Sequence, residues 1–334
     1  MIRSNNRDIS IDVLRFIALS GIIIAHVSPP SVILQLRNFD VPMMVFLSGV
    51  VFSLSSGLKV SYSTYVWKRF KRLILPMWIF VMLYVAFSIT IGNGFPGTKN
   101  ILFSYSIPLI GNWYTWIIRV FFIIALVAPI VSKYIRGMSV NQYLCISFIV
   151  LIIFEVLCIM SSDRRYDIVI MNIPYIVVFS LGTMVNRLSK IQLLCIMTIS
   201  FAIFVAFALL IYNKNGEFIV TQKYKYPPRI YYTSYAIGAI ILLYQFRKYI
   251  VNGLKKIKID KLCAYIGSHT IWIYFYHIIM LDIIDNRHHI AIRYVVLYTL
   301  SIMLAFIQDI LVQYIADKID NENAKKNILI LFRG

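Results

Sequence analysis

The chain has 334 residues, of which 60% are hydrophobic and 14% are charged, and its mean hydropathy is +0.78. These values exclude an ordinary soluble domain and are typical of a protein with several membrane-spanning helices. The formal net charge of +19 would suit a nucleic-acid-binding protein, but lysine and arginine also collect on the cytoplasmic loops of membrane proteins, so we expect no nucleic-acid partner.

Ten apolar segments predict an all-α fold, a polytopic membrane bundle of about ten transmembrane helices in one domain over residues 1–334. The segments cover roughly 9–27, 40–56, 73–91, 113–132, 143–160, 169–185, 191–212, 230–247, 264–284 and 291–315. With a cytoplasmic N-terminus, 21 of the 33 lysines and arginines lie on inner segments, nine on outer loops and three within spans. This excess predicts that both termini are cytoplasmic. The four cysteines are widely spaced and indicate neither a disulfide framework nor a metal site.

The first predicted span, within RDISIDVLRFIALSGIIIAHVSPP (7–30), contains residues that lipid disfavours. Arg15 and His26 are eleven residues apart, which on a helix puts them on one side and roughly 16 Å apart along the axis. Asp12 precedes Arg15 by three residues, where an ion pair offsets burial of the guanidinium. A charge within the bilayer costs about 2.5–3.5 kcal/mol, so we expect these residues to face the interior. A snorkelling pair and an interfacial histidine are the alternatives.

The second predicted span contains FLSG, in which Ser48 precedes Gly49. A serine hydroxyl hydrogen-bonds readily to a neighbouring helix, and glycine permits two helix backbones to approach closely. We therefore interpret these two residues as a packing feature.

The stretch YVWKRFKRLILPMW (65–78), on the cytoplasmic side of the third span, contains four cations. Arg69 and Arg72 are three residues apart and share a helix face, which suits a phosphate held by two guanidinium groups. Lys68 and Lys71 form a second pair beside them. We predict that Lys68, Arg69 and Arg72 bind the phosphates of a cytosolic ligand, with a plain cationic membrane anchor as the alternative.

The fourth span begins with two tryptophans and a buried cation. Trp113 and Trp116 suit an aromatic belt at the outer membrane surface, and Trp113 is also a candidate platform for a sugar ring. Arg119 lies deeper and is a candidate substrate-binding residue. Its expected partner is Glu155, the acidic residue placed centrally in the fifth span, in a buried ion pair.

The predicted outer loop from 212 to 229 alternates cations with tyrosines before Pro227 and Pro228 stiffen the chain. Lys223 and Tyr224 are the candidates for gripping an anionic glycan or a lipid-linked pyrophosphate by charge and stacking. A solvated loop near lipid headgroups is the alternative. In the ninth span, His277 is expected at a depth similar to that of His26, as a second polar site facing the acceptor or as a core histidine.

In their order along the chain, these motifs resemble a known family, the integral-membrane acyltransferases of family 3, which modify bacterial surface polysaccharides and related glycoconjugates. The resemblance rests on RFIALSGIIIAH (15–26) with its leading ID, VPMMVFLSGVVFS (41–53), RFKR (69–72), GNWYTWII (111–118) and IGSHTIWIYFYHIIM (266–280). The motifs extend over about residues 8–280. The stretch KYKYPPRIYY (223–232) resembles a subset concerned with capsular or O-antigen sugars.

The resemblance implies transfer of an acyl group, usually acetyl from acetyl-CoA, to a sugar hydroxyl. It assigns the central catalytic role to His26, a supporting role to Arg15, and donor binding to Arg69 and Arg72. We accordingly expect acyl-CoA, a glycan or lipid-linked sugar acceptor and membrane lipid as partners, with no metal. The expected location is the bacterial cytoplasmic membrane.

These assignments agree with the chemistry of the residues. An imidazole with a pKa near 6.5 accepts the proton of an attacking hydroxyl at neutral pH. Arg15 lies too far along a straight helix to contact the same carbonyl as His26, so we expect it to orient the donor, pair with Asp12 or tune the cavity. Two other functions remain open: a transporter or flippase of lipid-linked sugars, and a membrane sensor or scaffold. The repeats and Gly/Pro-broken helices common in transporters are not evident in the sequence.

Overall fold

The computed structural model describes residues 8–55, 60–92, 94, 97, 114–160, 171–284 and 289–333. Every named secondary-structure element in these ranges is a helix, as the sequence predicts. The α-helices are α1 (Ile9–Ile24), α2 (Ser31–Leu36), α3 (Asp40–Leu54), α4 (Tyr62–Thr90), α5 (Trp116–Arg136), α6 (Val140–Met160), α7 (Ile173–Met184), α8 (Lys190–Asn215), α9 (Ile230–Lys256), α10 (Asp260–Ser268), α11 (Thr270–Ile283), α12 (Ile290–Asp317) and α13 (Glu322–Arg333).

Six helices in the described part of the chain are long and apolar enough to cross a membrane. They are Ile9–Val27, Tyr62–Thr90, Trp116–Arg136, Val140–Met160, Lys190–Asn215 and Ile290–Asp317. The remaining predicted spans are also helical, but α3, α7 and α11 have only 15, 12 and 14 residues. A helix needs about 20 residues to cross the hydrocarbon core. Six candidate spans are therefore observed among the described residues, and a total of ten remains a prediction.

The centre of the bundle is built on helices that touch backbone to backbone. At Gly49 of α3, a β-carbon would collide with the Phe179 carbonyl oxygen of α7, and at Gly182 of α7 one would collide with the Phe46 carbonyl oxygen. Gly267 of α10 lies equally close to the Asp12 carbonyl oxygen of α1. Glycine is required at these crossings because any side chain would separate the helices. The packing role predicted for Gly49 is confirmed.

The chain turns sharply at the end of α1, and this turn positions His26. The α-helix ends at Ile24 and continues as a 3₁₀ turn over Ala25–Val27. Ser28 then adopts a left-handed conformation with φ 56°. Pro29 and Pro30 follow, and neither can donate the backbone hydrogen bond that would extend the helix. His26 therefore projects from a tight turn at the rim of the bundle interior. Below, the two ends of the bundle are called the Arg15 end and the His26 end.

Candidate functional site

A partly open cavity of about 400 Å³ has cationic side chains at the Arg15 end. Arg15 of α1 and Arg69 and Arg72 of α4 contribute to its lining. Most of the remaining wall is apolar, and Ser48 and Ser268 add hydroxyl groups. The structure thus brings together three arginines that are separated by up to 57 positions in the sequence.

The side chains around this cationic end hold defined positions. Asp12 accepts a hydrogen bond of 3.0 Å from the Arg15 guanidinium, which confirms the predicted ion pair. The Arg69 guanidinium lies 5.2 Å from the centre of the Tyr65 ring. Lys68 is exposed and outside the cavity lining, while Lys71 donates to the Asn327 side chain of α13 at 3.0 Å.

At the other end of α1, His26 faces a second histidine. The ring centres of His26 and His277 are 5.0 Å apart, and the Tyr114 ring lies 5.8 Å from His26. His277 is fully buried, and its Nε2 has no hydrogen-bond partner among the described residues. The sequence predicted that the two histidines lie at a similar depth. In the structure they lie at a similar depth and also next to each other.

The hydrogen bonds of the two histidines specify which nitrogen is available for chemistry. His26 Nδ1 lies 2.9 Å from the Ile22 carbonyl oxygen, and His277 Nδ1 contacts the Tyr274 carbonyl oxygen. A carbonyl oxygen only accepts, so in each neutral ring Nδ1 carries the proton and Nε2 keeps its lone pair. Both rings are thereby prepared as proton acceptors at Nε2.

Neither histidine lines the cavity, but two of its lining residues contact them directly. Ile22 and Tyr274 line the cavity, and both also hydrogen-bond through their carbonyl groups to His26 and His277 respectively. The Tyr274 hydroxyl donates to the Tyr114 carbonyl oxygen at 2.6 Å. A group at the inner end of the cavity is therefore one residue away from the histidine pair.

A buried charge cluster, which sequence reasoning missed, lies at the His26 end. Arg37 donates to Asp40 at 2.5 Å and to Gln222 at 2.8 Å, and the Lys225 ammonium lies 3.6 Å from Asp40. Only 3% of Lys225 and none of Asp40 is exposed. The three-residue spacing of Arg37 and Asp40 was a usable signal for their pairing, but nothing in the local pattern pointed to Lys225 as the third member.

Burial changes the acidity of the lysine in this cluster. Lys225 lies in the loop between α8 and α9, outside the spanning helices. Burial lowers the pKa of its ammonium group to about 8; Asp40 opposes this effect and Arg37 adds to it.

One predicted ion pair is wrong. Glu155 accepts from Arg229, with a distance of 2.5 Å to Nη2 and 2.7 Å to Nε, and from the Ile230 backbone N–H at 2.8 Å. Arg119 instead donates to the Met171 sulfur at 3.2 Å. Glu155 therefore caps the start of α9 and does not neutralise Arg119, because hydropathy gives the depth of a residue but not the direction it faces.

The remaining candidates for acceptor binding lie at different places. Trp113 is outside the described residues. Lys223 is exposed, and the Tyr224 ring packs edge-on against Tyr231 at 5.3 Å. Trp116, assigned to an aromatic belt from its position in sequence, instead has the Lys225 ammonium 5.3 Å from its ring centre. No group of three His, Cys, Asp or Glu side chains in the described part of the chain is arranged to hold a metal ion.

The motifs that form this site lie within a region that matches a known protein family. A family model described as an acyltransferase domain, Acyl_transf_3, matches residues 8–308. The chain belongs to acyltransferase family 3. Searches of curated proteins and of solved structures found no match. As a member of this family with several apolar spanning helices, the chain is a membrane acyltransferase.

The cavity of this acyltransferase combines cationic and apolar lining residues. Phosphate groups are recognised by guanidinium groups, and three guanidinium groups lie at its Arg15 end. Leu19, Ile22 and Ile118 contribute to the apolar part of its wall. The lining is therefore compatible with a ligand that carries phosphate groups on a mainly apolar body.

Proposed function

We propose that this acyltransferase moves an acetyl group from acetyl-CoA to a hydroxyl of a bacterial cell-surface polysaccharide or its lipid-linked precursor. The single observation that carries the proposal is the position of one helix, α1, along the whole route. Its Arg15 lines the cationic part of the cavity, and its C-terminal turn holds His26 beyond the inner end. We place the protein in the cytoplasmic membrane, with both termini and the Arg15 end on the cytoplasmic side.

Donor binding is assigned to the guanidinium groups at the Arg15 end. Arg69 and Arg72 hold the phosphates, and Arg15, fixed by Asp12, adds positive charge at the passage. Binding energy from these remote phosphates keeps the thioester at the inner end of the cavity, where reaction requires it. Arg15 thus supports catalysis without contacting the reacting carbonyl.

His26 is assigned the role of general base, which removes the proton of the acceptor hydroxyl. A sugar hydroxyl attacks a thioester efficiently only if its proton is removed as the new C–O bond forms. His26 Nε2 is the nitrogen left with a lone pair by the Nδ1 hydrogen bond to Ile22. When the C–S bond breaks, the same nitrogen returns the proton to the departing thiolate, so the enzyme ends in its starting state.

The proposal is tested by following label from donor to acceptor. Purified protein in lipid nanodiscs is incubated with acetyl-CoA labelled in the acetyl group and with candidate glycans, and the glycan is recovered and counted. Transfer is expected for the natural chain and is expected to fall by about 10²–10⁴-fold in His26→Ala, the usual contribution of a general base. His289→Ala is the matched control because His289 is exposed and only caps α12.

Two results would contradict the proposed function. Transfer that survives His26→Ala would remove the histidine from the chemistry. Movement of lipid-linked sugar across the membrane, with no label on the glycan, would favour a flippase.

A further inference from the structure

Among the described residues, Lys225 is a buried cation with incomplete local neutralisation. Its ammonium lies 3.6 Å from Asp40, beyond the 2.7–2.9 Å typical of a charged hydrogen bond. The Asp40 carboxylate already accepts from Arg37 at 2.5 Å and from the Val41 backbone N–H at 2.6 Å. Asp40 therefore compensates Arg37 first and leaves much of the Lys225 charge for another partner.

Aromatic faces surround the rest of the Lys225 ammonium. The ring centres of Trp116, Tyr226 and Tyr232 lie 5.3, 5.8 and 6.0 Å away. Such faces tolerate a cation but provide no oxygen acceptor for its N–H groups. An ammonium with three donors, one distant carboxylate and three rings is well arranged to donate to an incoming oxygen atom.

Hydrogen bonds attach the loop of this lysine to the segment that follows His26. The Asn38 side chain donates to Thr221 at 2.7 Å, and the Thr221 backbone N–H donates to Gln35 at 2.8 Å, which attach the loop of Lys225 to the segment before α3. The charges of Lys225, Arg37 and Asp40 all act on the His26 ring. Two cations and one carboxylate give this cluster a net positive charge next to the proposed reaction centre.

We propose that the Lys225 ammonium is a catalytic residue that donates to the acyl oxygen as it becomes negative. The inference rests on the acyl transfer proposed above. As the acceptor oxygen bonds to the acyl carbon, its proton passes to His26 and the carbonyl electron pair moves onto the acyl oxygen facing Lys225. The C=O bond then re-forms, the C–S bond breaks, and the thiolate takes the proton from His26.

This role also accounts for a cation that is costly to bury. Donors fixed in advance towards a developing oxyanion stabilise the transition state most in a water-excluded site. Arg15 is at the opposite end of α1 and cannot serve. On this proposal, the negative charge that Lys225 stabilises is the oxyanion, which exists only during reaction. Among the described residues, the resting protein therefore has only the 3.6 Å carboxylate contact between Lys225 and Asp40.

The role of Lys225 predicts a pH dependence with a definite sign. The ammonium is present below its pKa of about 8 and is lost as the pH rises through that value, so the turnover rate should fall above pH 8. The charged and titratable groups facing Lys225 are Asp40, Arg37, His26, Tyr226 and Tyr232. Desolvation of its hydroxyl group and the charge of Asp40 raise the pKa of Tyr226, so this phenol stays neutral over the range tested.

The test compares three variants by pH–rate profile and by acetyl-CoA affinity. Lys225→Met keeps side-chain length without charge, and it should lower kcat by about 10²–10³-fold, the usual effect of losing one oxyanion donor. Its affinity for acetyl-CoA should be unchanged because the phosphate-binding guanidinium groups lie at the Arg15 end and the oxyanion that Lys225 stabilises forms only during reaction. Lys225→Arg should extend activity above pH 8, since guanidinium stays charged. Lys214→Met, on an exposed lysine of α8, is the control.

Asp40→Asn should shift the pH–rate profile in the direction opposite to that of Lys225→Arg. Removing the carboxylate destabilises the Lys225 ammonium, so the alkaline fall in rate should move to lower pH. Size-exclusion profiles and acetyl-CoA affinity show whether each variant is folded. Lys225→Met with a kcat within threefold of the natural chain, or with the same alkaline fall, would overturn the proposal. A natural chain that transfers no acyl group would instead overturn the proposed function itself.

Discussion

Replacing Arg69 by alanine should weaken binding of acetyl-CoA but not of a donor without phosphates. Arg69 and Arg72 both line the cationic end of the cavity, and Arg69 is half-buried whereas Arg72 is exposed. If they hold phosphates, the loss on mutation should depend on the ligand as well as on the residue. S-acetylpantetheine has the same thioester arm as acetyl-CoA and has no phosphate, so it separates the two contributions.

The expected magnitude follows from the exposure of each guanidinium. A hydrogen bond to a charged group contributes about 1.5–3 kcal/mol, so losing the half-buried Arg69 should raise the Kd for acetyl-CoA by about 10- to 150-fold. An exposed ion pair contributes about 0.2–1 kcal/mol, so Arg72→Ala should raise it by no more than about fivefold. The Arg72 effect should also shrink at high salt, because exposed charges are screened.

Isothermal titration calorimetry with both ligands measures these differences directly. Lys256→Ala removes an exposed cation from α9 and is the matched control for general loss of positive charge. The Kd for S-acetylpantetheine should be the same for Arg69→Ala and the natural chain. An equal loss for both ligands would show that Arg69 shapes the cavity, and an unchanged Kd for acetyl-CoA would remove it from donor binding.

Two further predictions concern stability. Gly182→Ala should destabilise the protein by about 1–3 kcal/mol because its β-carbon would overlap the Phe46 carbonyl oxygen, whereas Gly253→Ala, with open space around it, should not; equal shifts in the apparent Tm of the two variants would contradict the close helix crossing. Glu155→Gln should destabilise by about 1–3 kcal/mol and show coupling with Arg229→Gln in a double-mutant cycle, and coupling with Arg119→Gln instead would restore the pair expected from sequence.

Hydropathy predicted the helical fold because each apolar segment must satisfy its own backbone hydrogen bonds in lipid. It leaves the number of spans a prediction, because some of the helices are shorter than the hydrocarbon core of a bilayer. The residues of α3 and α7 are as apolar as those of longer helices, but their pairing through Gly49 and Gly182 is a contact between segments about 130 positions apart. The turn that removes His26 from α1 was readable in principle from Pro29 and Pro30.

The site was predictable where its residues lie close together on one helix and not where it depends on contacts between distant segments. The spacing of Asp12 and Arg15 gave their ion pair correctly, and Arg69 and Arg72 share the cavity as their spacing required. Lys225 reaches Asp40 across 185 positions, and no local pattern encodes such a contact. Helical spacing predicts which residues share a face of one helix. It does not predict which other segment packs against that face.

Tyr274 connects the two halves of the proposed reaction. Its side chain lines the donor cavity, its hydroxyl donates to the Tyr114 carbonyl oxygen, and its own carbonyl oxygen accepts from His277. The Tyr274 and His277 rings are 4.8 Å apart, and His277 in turn lies beside His26. Under the proposed function, an acyl group that reaches the inner end of the cavity contacts the residue that orients the buried histidine. We therefore expect donor position and histidine orientation to be coupled through Tyr274, because its ring, hydroxyl and carbonyl group are engaged together.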